Sequence, residues 1–391
     1  MSVWWIAIGF YGVVVAGWWV RHVLLSLARP LGLYVAPASG AARDGCLSVV
    51  IPARNESERL AECVRTVLSQ GPVVRELIVV DDRSDDDTAA VASAAAEGDQ
   101  RLRVVRIDAL PAGWAGKAHA CQRGGELASS PWVLFADADC RFDPGGLAGA
   151  VEHAEQHNAD LLTLWIAADH RSFWEHMLIP LCGALILYWF PPFRANQASS
   201  SLAYANGQFV LGRRERYLAM GGHDCARDTV IEDIPLAQHA KRFGLRLRTA
   251  LGPEIVAVRM YTNFRETYNG WTRIFIGALQ RRWKLLASMV SLAGGSLLPS
   301  VGAPLAALHV VRHGWPDDRL TLVFIVLLWL HFVAVYSVSY RAWGLCRCDR
   351  RYLWLYPVSV VVVGAILLRS WWWMLTRRPI VWRGTRTGSQ A

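Results

Sequence analysis

Four stretches of this chain run without a charged side chain for about the length a helix needs to cross a bilayer: residues 3–20, 285–311, 320–340 and 352–368. A helix of ~20 apolar residues matches the hydrocarbon thickness. These runs commit both ends of the molecule to a membrane and leave the middle to fold as something else. The composition agrees. At 53% hydrophobic residues and a mean hydropathy of +0.23, the chain is too apolar for an ordinary soluble enzyme, yet its middle is too charged for a pure membrane bundle.

Trp4, Trp5, Trp18 and Trp19 mark the two ends of the first run, as an aromatic belt would. No basic segment precedes that run and no small-residue cleavage site follows it, so residues 1–28 are expected to form an uncleaved anchor. Arg21, Arg29 and Arg43 come after it, which by the positive-inside rule places the amino terminus outside and the next domain in the cytosol. The expected location is the cell (inner) membrane, multi-pass, with the middle domain on the cytosolic face. About three spans are expected in 285–376. The first of these carries Gly294-Gly295, Pro299 and Pro304, so it is either one kinked span or a two-helix hairpin. Basic residues do not orient this region, because 341–351 and the tail 377–391 are both basic and one span lies between them.

A net charge of +9 suits contact with anionic lipid or phosphate. Nucleic acid is not expected as a partner, since no basic tract interleaves aromatics in the middle domain. The eight cysteines show no Cys-x-x-Cys and no zinc spacing, the nearest approach being Cys346-Arg347-Cys348, and they read as reduced thiols.

Residues 29–45, with Pro30, Pro37 and Gly40, read as a linker to a domain over 46–263. There, apolar strands at 47–51, 77–80, 103–107, 132–135 and 160–166 alternate with helices at 58–70, 88–96, 118–128 and 146–157. Such alternation predicts an α/β domain with a largely parallel sheet. Residues 206–211 return to the sheet, 234–242 form a helix and 246–260 form strands. In 264–284, Tyr268, Trp271, Phe275 and Leu279 recur at helical spacing among Arg265, Arg273, Arg281, Arg282 and Lys284, the pattern of a helix lying in the membrane surface.

Four motifs carry the chemistry: Val50-Ile51-Pro52-Ala53-Arg54-Asn55-Glu56, Val79-Val80-Asp81-Asp82-Arg83-Ser84, Gly113-Trp114-Ala115-Gly116-Lys117 and Phe135-Ala136-Asp137-Ala138-Asp139. The first, second and fourth sit where an apolar strand gives out into polar residues, the edge at which open α/β sheets bind ligands. Together they describe a pocket for a nucleotide-sugar. A departing diphosphate needs its growing charge neutralised, and Asp137 and Asp139 offer oxygens to Mg2+ or Mn2+. The structural use of such residues is capping, as expected for Asp143 nearby. Lys117, beside a glycine that permits close approach, suits a phosphate or base, although an isolated lysine is most often a surface residue. Glu56 and Asp82 have the reach to hold ribose hydroxyls and the base edge; singly, each would be a helix cap. Further on, Ile231-Glu232-Asp233-Ile234-Pro235 places two carboxylates before a helix, where they either complement its dipole or supply a base to the second substrate.

In this order the motifs resemble the family-2 glycosyltransferases of GT-A fold, over roughly residues 46–284. Pro-x-Gly-Trp-x-Gly-Lys, here Pro111 to Lys117, and the flanking membrane runs resemble the lipid-modifying branch: hopanoid-associated, carotenoid-acid and ceramide glycosyltransferases. The resemblance implies a Rossmann-like, mostly parallel GT-A domain that moves one sugar, with inversion, from a nucleotide-sugar such as a UDP-sugar to a lipid acceptor. It implies donor binding by Pro52, Ala53, Arg54, Glu56, Asp82, Lys117 and Asp137, a metal on Asp139, and a base at Asp233 with Glu232 beside it. The family's Gln/Arg-x-x-Arg-Trp acceptor motif is not intact. Gly270-Trp271 stands at about the right distance after Asp233, while Gln280-Arg281-Arg282-Trp283 is one residue short. Trp271 is the preferred counterpart, with Arg282 and Trp283 as further acceptor-side residues, and processive polysaccharide synthesis is disfavoured. Residues 177–193, uncharged but holding Pro180, Pro191 and Pro192, are expected to form an interfacial or acceptor-facing helix, or else a buried core helix. Two other readings remain. A polyprenyl-phosphate sugar transferase needs no base and would leave Glu232-Asp233 unexplained; a non-catalytic protein would not need Asp137, Asp139 and Asp233.

Overall fold

In the computed structural model, the described residues are 3–38, 44–229, 231–376, 380–382 and 385–387. Gly40, Arg43 and most of the basic tail lie outside them. Helix α1 (Val3–Ser26) leads into the domain whose eight strands form one sheet: β1 (Leu47–Ala53), β2 (Val74–Asp82), β3 (Leu102–Ile107), β4 (Trp132–Phe135), β5 (Cys140–Phe142), β6 (Leu161–Ala168), β7 (Val210–Arg213) and β8 (Leu247–Val258). Their order is β3-β2-β1-β4-β7-β6-β8-β5. The pairs β1–β2, β1–β4, β2–β3 and β6–β8 are parallel, while β7 runs antiparallel between β4 and β6, and β5 antiparallel to β8. The expected α/β architecture with a mostly parallel sheet is thus present.

Strand β1 reads Leu-Ser-Val-Val-Ile-Pro-Ala with little alternation because both its faces are covered. On one face pack α2 (Leu60–Leu68), α3 (Thr88–Ala95) and α5 (Gly146–Gln156). On the other lies α4 (Gly116–Leu127). The carboxyl ends of the parallel strands β1, β2, β3 and β4 therefore open at one edge, where the sequence placed its motifs.

A 17-residue helix, α6 (Phe173–Trp189), starts from a capping box made by Ser172 and Glu175. A short α7 (Pro192–Ala195) follows. At the start of this segment the Asp169 N–H donates to the Val258 carbonyl at 2.8 Å. At its far end Asn196 exchanges two hydrogen bonds with the Thr249 backbone, at 2.7 and 2.9 Å. Thr249 and Val258 lie at opposite ends of β8, so α6 is laid along that strand and fastened at both ends. Most of it is buried, as the buried-core alternative expects, and one face, Pro180, Gly183, Ala184 and Leu187, lies on a cavity.

The chain then forms α8 (Arg214–Ala219), α9 (Asp233–Arg242) and α10 (Phe264–Leu279), followed by α11 (Arg282–Leu292), α12 (Leu298–His313), α13 (Arg319–Leu345) and α14 (Tyr356–Leu375). A π-helical turn, Ala293–Leu297, joins α11 to α12, so the Gly294-Gly295 segment kinks one continuous helix and makes no hairpin. Five helices among the described residues are long and apolar enough to cross a membrane: Val3–Ser26, Phe173–Ala195, Arg282–His313, Arg319–Leu345 and Arg350–Leu375. The N-terminal one packs on α13, where Tyr11 Oη and His331 Nδ1 share a hydrogen bond at 2.9 Å and His22 Nδ1 meets Ser337 Oγ at 2.8 Å.

The single surface helix expected over 264–284 is corrected. Gln280 adopts φ 56°, a left-handed turn that closes α10 after Leu279, and α11 restarts at Arg282. Trp271, Phe275 and Leu279 are buried against α6 and α14. Periodicity locates an apolar stripe but not what covers it.

Candidate active site

Lys117, in the first turn of α4, stands between two carboxylates from distant parts of the chain. Its Nζ is 2.8 Å from Asp137 Oδ1, past the end of β4, and 2.7 Å from Glu232 Oε1, at the start of α9. Burial works against the charge on this ammonium, but Asp137 and Glu232 outweigh it and hold the Lys117 pKa well above the ordinary lysine range. Beside it, Asp233 accepts the Gly207 N–H at 2.8 Å and the Ile234 N–H at 2.7 Å, one on each oxygen. Burial, with Glu232 adjacent, nevertheless pushes the Asp233 carboxyl up to about 7. Asp139 is likewise raised to about 7, by burial and then by Asp137 and Glu56, and its Oδ1 is buried with no hydrogen-bond partner.

Gly207 was not singled out by sequence, although it is the hub of this cluster. A Cβ there would lie 3.0 Å from both Lys117 Nζ and Glu232 Oε1 and 3.3 Å from Asp233 Oδ2. The signal was present as Asn206-Gly207-Gln208, three polar or small residues leading into an apolar strand. Gly116 has a similar use: a Cβ on it would collide with the Asp82 carboxylate, so the glycine before Lys117 lets α4 start against the end of β2.

The loops after β1 and β2 are knitted together. The Asn55 N–H donates to Ser84 Oγ at 3.0 Å, the Asp85 N–H to Asn55 Oδ1 at 2.9 Å and the Glu56 N–H to Thr88 Oγ1 at 2.9 Å. Asn55 and Arg83 sit at φ 53° and 57°, conformations these hydrogen bonds must hold. Asp82 is buried and paired with Arg83 Nε at 2.8 Å. Pro52, Ala53, Arg54, Glu56, Asp82, Lys117, Asp137 and Asp139 therefore gather along one edge of the sheet.

From this polar cluster a cavity of about 1070 Å³ runs among the helices. Lys117, Asp137, Glu232 and Asp233 line its polar end; Pro180, Gly183, Ala184 and Leu187, one face of α6, line its apolar wall. Trp165 and Tyr204 stack at 4.7 Å between the two. The Tyr204 hydroxyl is held protonated by burial and then by Asp233. Trp271 lines the cavity too, 6% exposed, with its indole N–H buried and unpartnered. Helix α10 comes this close through Gly270 and Gly277, where a Cβ would strike Tyr261 and Ile231. The other acceptor-side candidates lie elsewhere. Arg282 is exposed and off the cavity, and Trp283 packs edge-on to Trp189 at 5.4 Å, while Gln280 and Arg281 are the residues of that segment that reach the lining. The helix break at Gln280 turns the first half of that motif inward and the second half out.

Among the described residues, no group of three or more His, Cys, Asp or Glu side chains is set to enclose a metal ion. Asp137 and Asp139 offer part of a shell, and all eight cysteines are free.

Residues 48–217 match the family model described as glycosyl transferase family 2. The chain is 26% identical over 347 residues, 86% of its length and 87% of the relative's, to the 4,4'-diaponeurosporenoate glycosyltransferase of Staphylococcus aureus strain MRSA252, and the same figures hold for the protein of strain USA300. Among solved structures, the Pyrobaculum calidifontis mannosyltransferase PcManGT in complex with GDP-Man and Mn2+ superposes with a TM-score of 0.49 at 16% identity, covering 95% of this chain and 99% of that one. Glucosyl-3-phosphoglycerate synthase of Mycobacterium tuberculosis superposes with a TM-score of 0.42 at 20% identity, over 63% and 87% of the two chains.

Proposed function

We propose that the chain is a family-2 glycosyltransferase, which the match over residues 48–217 and the Staphylococcus aureus relatives support, and that it moves one sugar, with inversion, from a nucleotide-sugar, a UDP-sugar by preference, to a hydroxyl or carboxylic acid of a membrane lipid. The 4,4'-diaponeurosporenoate named for the Staphylococcus aureus relatives is an acceptor of this kind. Transfer would occur at the cytosolic face of the cell (inner) membrane. The observation that carries the reading is a single cavity with Asp233 at its polar end and an apolar helix face along its length. An apolar wall running the length of one helix suits a hydrocarbon acceptor chain.

In this reading Asp233 takes the acceptor proton as the new bond forms, and the N–H groups of Gly207 and Ile234 fix its direction. Lys117 keeps two like carboxylates together in the resting site and is placed to meet the donor's phosphates on arrival. Asp82, Glu56 and the knitted loops after β1 and β2 hold the nucleoside. The orphaned, raised carboxylate of Asp139 fits a divalent cation, Mg2+ or Mn2+, which Asp139 and Asp137 would hold. When bound, that cation neutralises charge building on the departing diphosphate. Trp271 and the face of α6 seat the lipid.

The test is Asp233→Asn, which keeps the size and removes the proton acceptor. Turnover should fall ~10² to 10⁴-fold while donor binding, measured by calorimetry on the purified protein, stays unchanged. A variant that transfers at the wild-type rate would sink the assignment and favour a phosphate acceptor, which needs no base.

A further inference from the structure

A second, smaller cavity of about 280 Å³ opens beside α10, and Phe264, Arg265, Tyr268, Asn269 and Arg369 line it. Arg369 is the only charged residue of α14, and Trp371, Trp372 and Trp373 follow it after Ser370. An arginine one turn inside a tryptophan cluster lies at the level where a span leaves the hydrocarbon and enters the headgroups. Helix α10 follows β8 in the chain, so this level belongs to the same face of the bilayer as the sheet.

Arg369 is held in place with its fork still usable. Its guanidinium lies over the rings of Tyr268 and Trp373, at 5.2 and 4.8 Å, and one nitrogen, Nη1, donates to Asn269 Oδ1 at 2.7 Å. Arg265, exposed in the first turn of α10, takes no hydrogen bond or ion pair among the described residues. No acidic side chain lines the cavity. The neighbouring Glu266 is turned away, accepting from Thr262 and Asn263. Two guanidinium groups on one cavity without a counter-ion repel each other unless an anion joins them, and phosphate oxygens match the fork of each.

We propose that this cavity is a lipid-headgroup site: it binds the phosphodiester of an anionic membrane lipid, which bridges α10 and α14. Leu368, 54% exposed on the hydrocarbon side of Arg369, and Val361, 59% exposed further along α14, offer apolar surface along which the lipid's acyl chains lie, and a free phosphate has no use for them. The site is separate from the large cavity, whose lining includes none of Arg265, Asn269 and Arg369. A lipid here would brace the helix that carries Trp271 on its other side.

Native mass spectrometry of the full-length protein, released from nanodiscs of equal parts phosphatidylcholine and phosphatidylglycerol, tests this. The wild-type protein should retain phosphatidylglycerol preferentially, and each of Arg265→Gln and Arg369→Gln should lower that preference about fivefold, one basic residue's contribution at an anionic surface. Arg265 is exposed, so its variant should keep the wild-type melting temperature and donor hydrolysis even if Arg369→Gln fails to fold. Equal retention of both lipids by the wild-type protein, or an unchanged preference in Arg265→Gln, overturns the proposal. Displacement of the lipid by inorganic phosphate added to the detergent-solubilised protein would assign the site to a free anion and overturn the lipid assignment.

Discussion

At the polar end of the large cavity, directional bonds set every position: Asp233 takes two backbone N–H groups, Lys117 pairs with two carboxylates, and the loops after β1 and β2 exchange hydrogen bonds. At the apolar end the walls are side chains of α6, α10 and α14, joined mainly by packing. A polar constellation of this kind fails when one atom moves or one charge is lost, because burial makes each unpaired group costly. A packed apolar wall tolerates isosteric change and suffers chiefly from lost volume. Neutralising the raised carboxylates Asp139 and Asp233 should therefore abolish chemistry without harming the fold, whereas truncations among the helices should harm acceptor use and stability together.

After the loss expected for Asp233→Asn, the largest effect is at Asp139. Asp139→Ala should lower turnover by ~10²–10³ or more, the scale of removing one group that stabilises developing charge, with the circular dichroism spectrum unchanged. A parallel loss in EDTA, restored by Mn2+ or Mg2+, should accompany it. Turnover that survives chelation would break the contrast at its polar end.

Trp271→Ala comes next. Transfer to a lipid acceptor should fall at least about tenfold more than hydrolysis of the donor, since a hydrophobic seat is lost and the polar cluster is left in place. The deletion of so buried an indole should also cost ~3–5 kcal/mol of stability, read as a lower melting temperature. Equal loss of both activities would mean that the two ends are mechanically one.

The smallest effect is in pH. With Asp233 raised to about 7, the base proposed for it is largely protonated below that value, so kcat/KM should rise about tenfold per unit up to pH 7 and level off above it. Stability runs the other way. A carboxyl raised from its ordinary value of ~3.9 favours the fold while neutral, so its contribution is complete below pH ~4 and is lost as pH climbs to 7. Melting curves should accordingly show Asp233→Asn gaining on the wild-type protein over that interval and holding the difference above it.

The polar end was more legible than the apolar one. Strand termini that give way to Asp82 or Asp137 report local chemistry, and the strand at 132–135 was placed to the residue. Lys117, Asp137, Glu232 and Asp233 were each named from short motifs. Gly207 escaped because its role is the lack of a Cβ at a point where three remote segments meet. The antiparallel insertion of β7 between β4 and β6 depends on long-range pairing that no local pattern encodes. Residues 173–189 are apolar on all sides, which fits a membrane span and a buried helix equally well. Only the anchors at Asp169 and Asn196 separate the two. Likewise the left-handed turn at Gln280 carries no glycine to announce it.

Those two anchors make α6 a fixed gauge. Transmembrane helices tilt when the bilayer thins or thickens, so a pocket hung between spans would change its depth with the surrounding lipid. Here one wall is pinned to both ends of a single strand in the sheet. If this cavity seats the proposed lipid acceptor, the length that fits beside α6 is set by β8 and not by the membrane, and the same chain-length cutoff should hold in thin and thick bilayers alike.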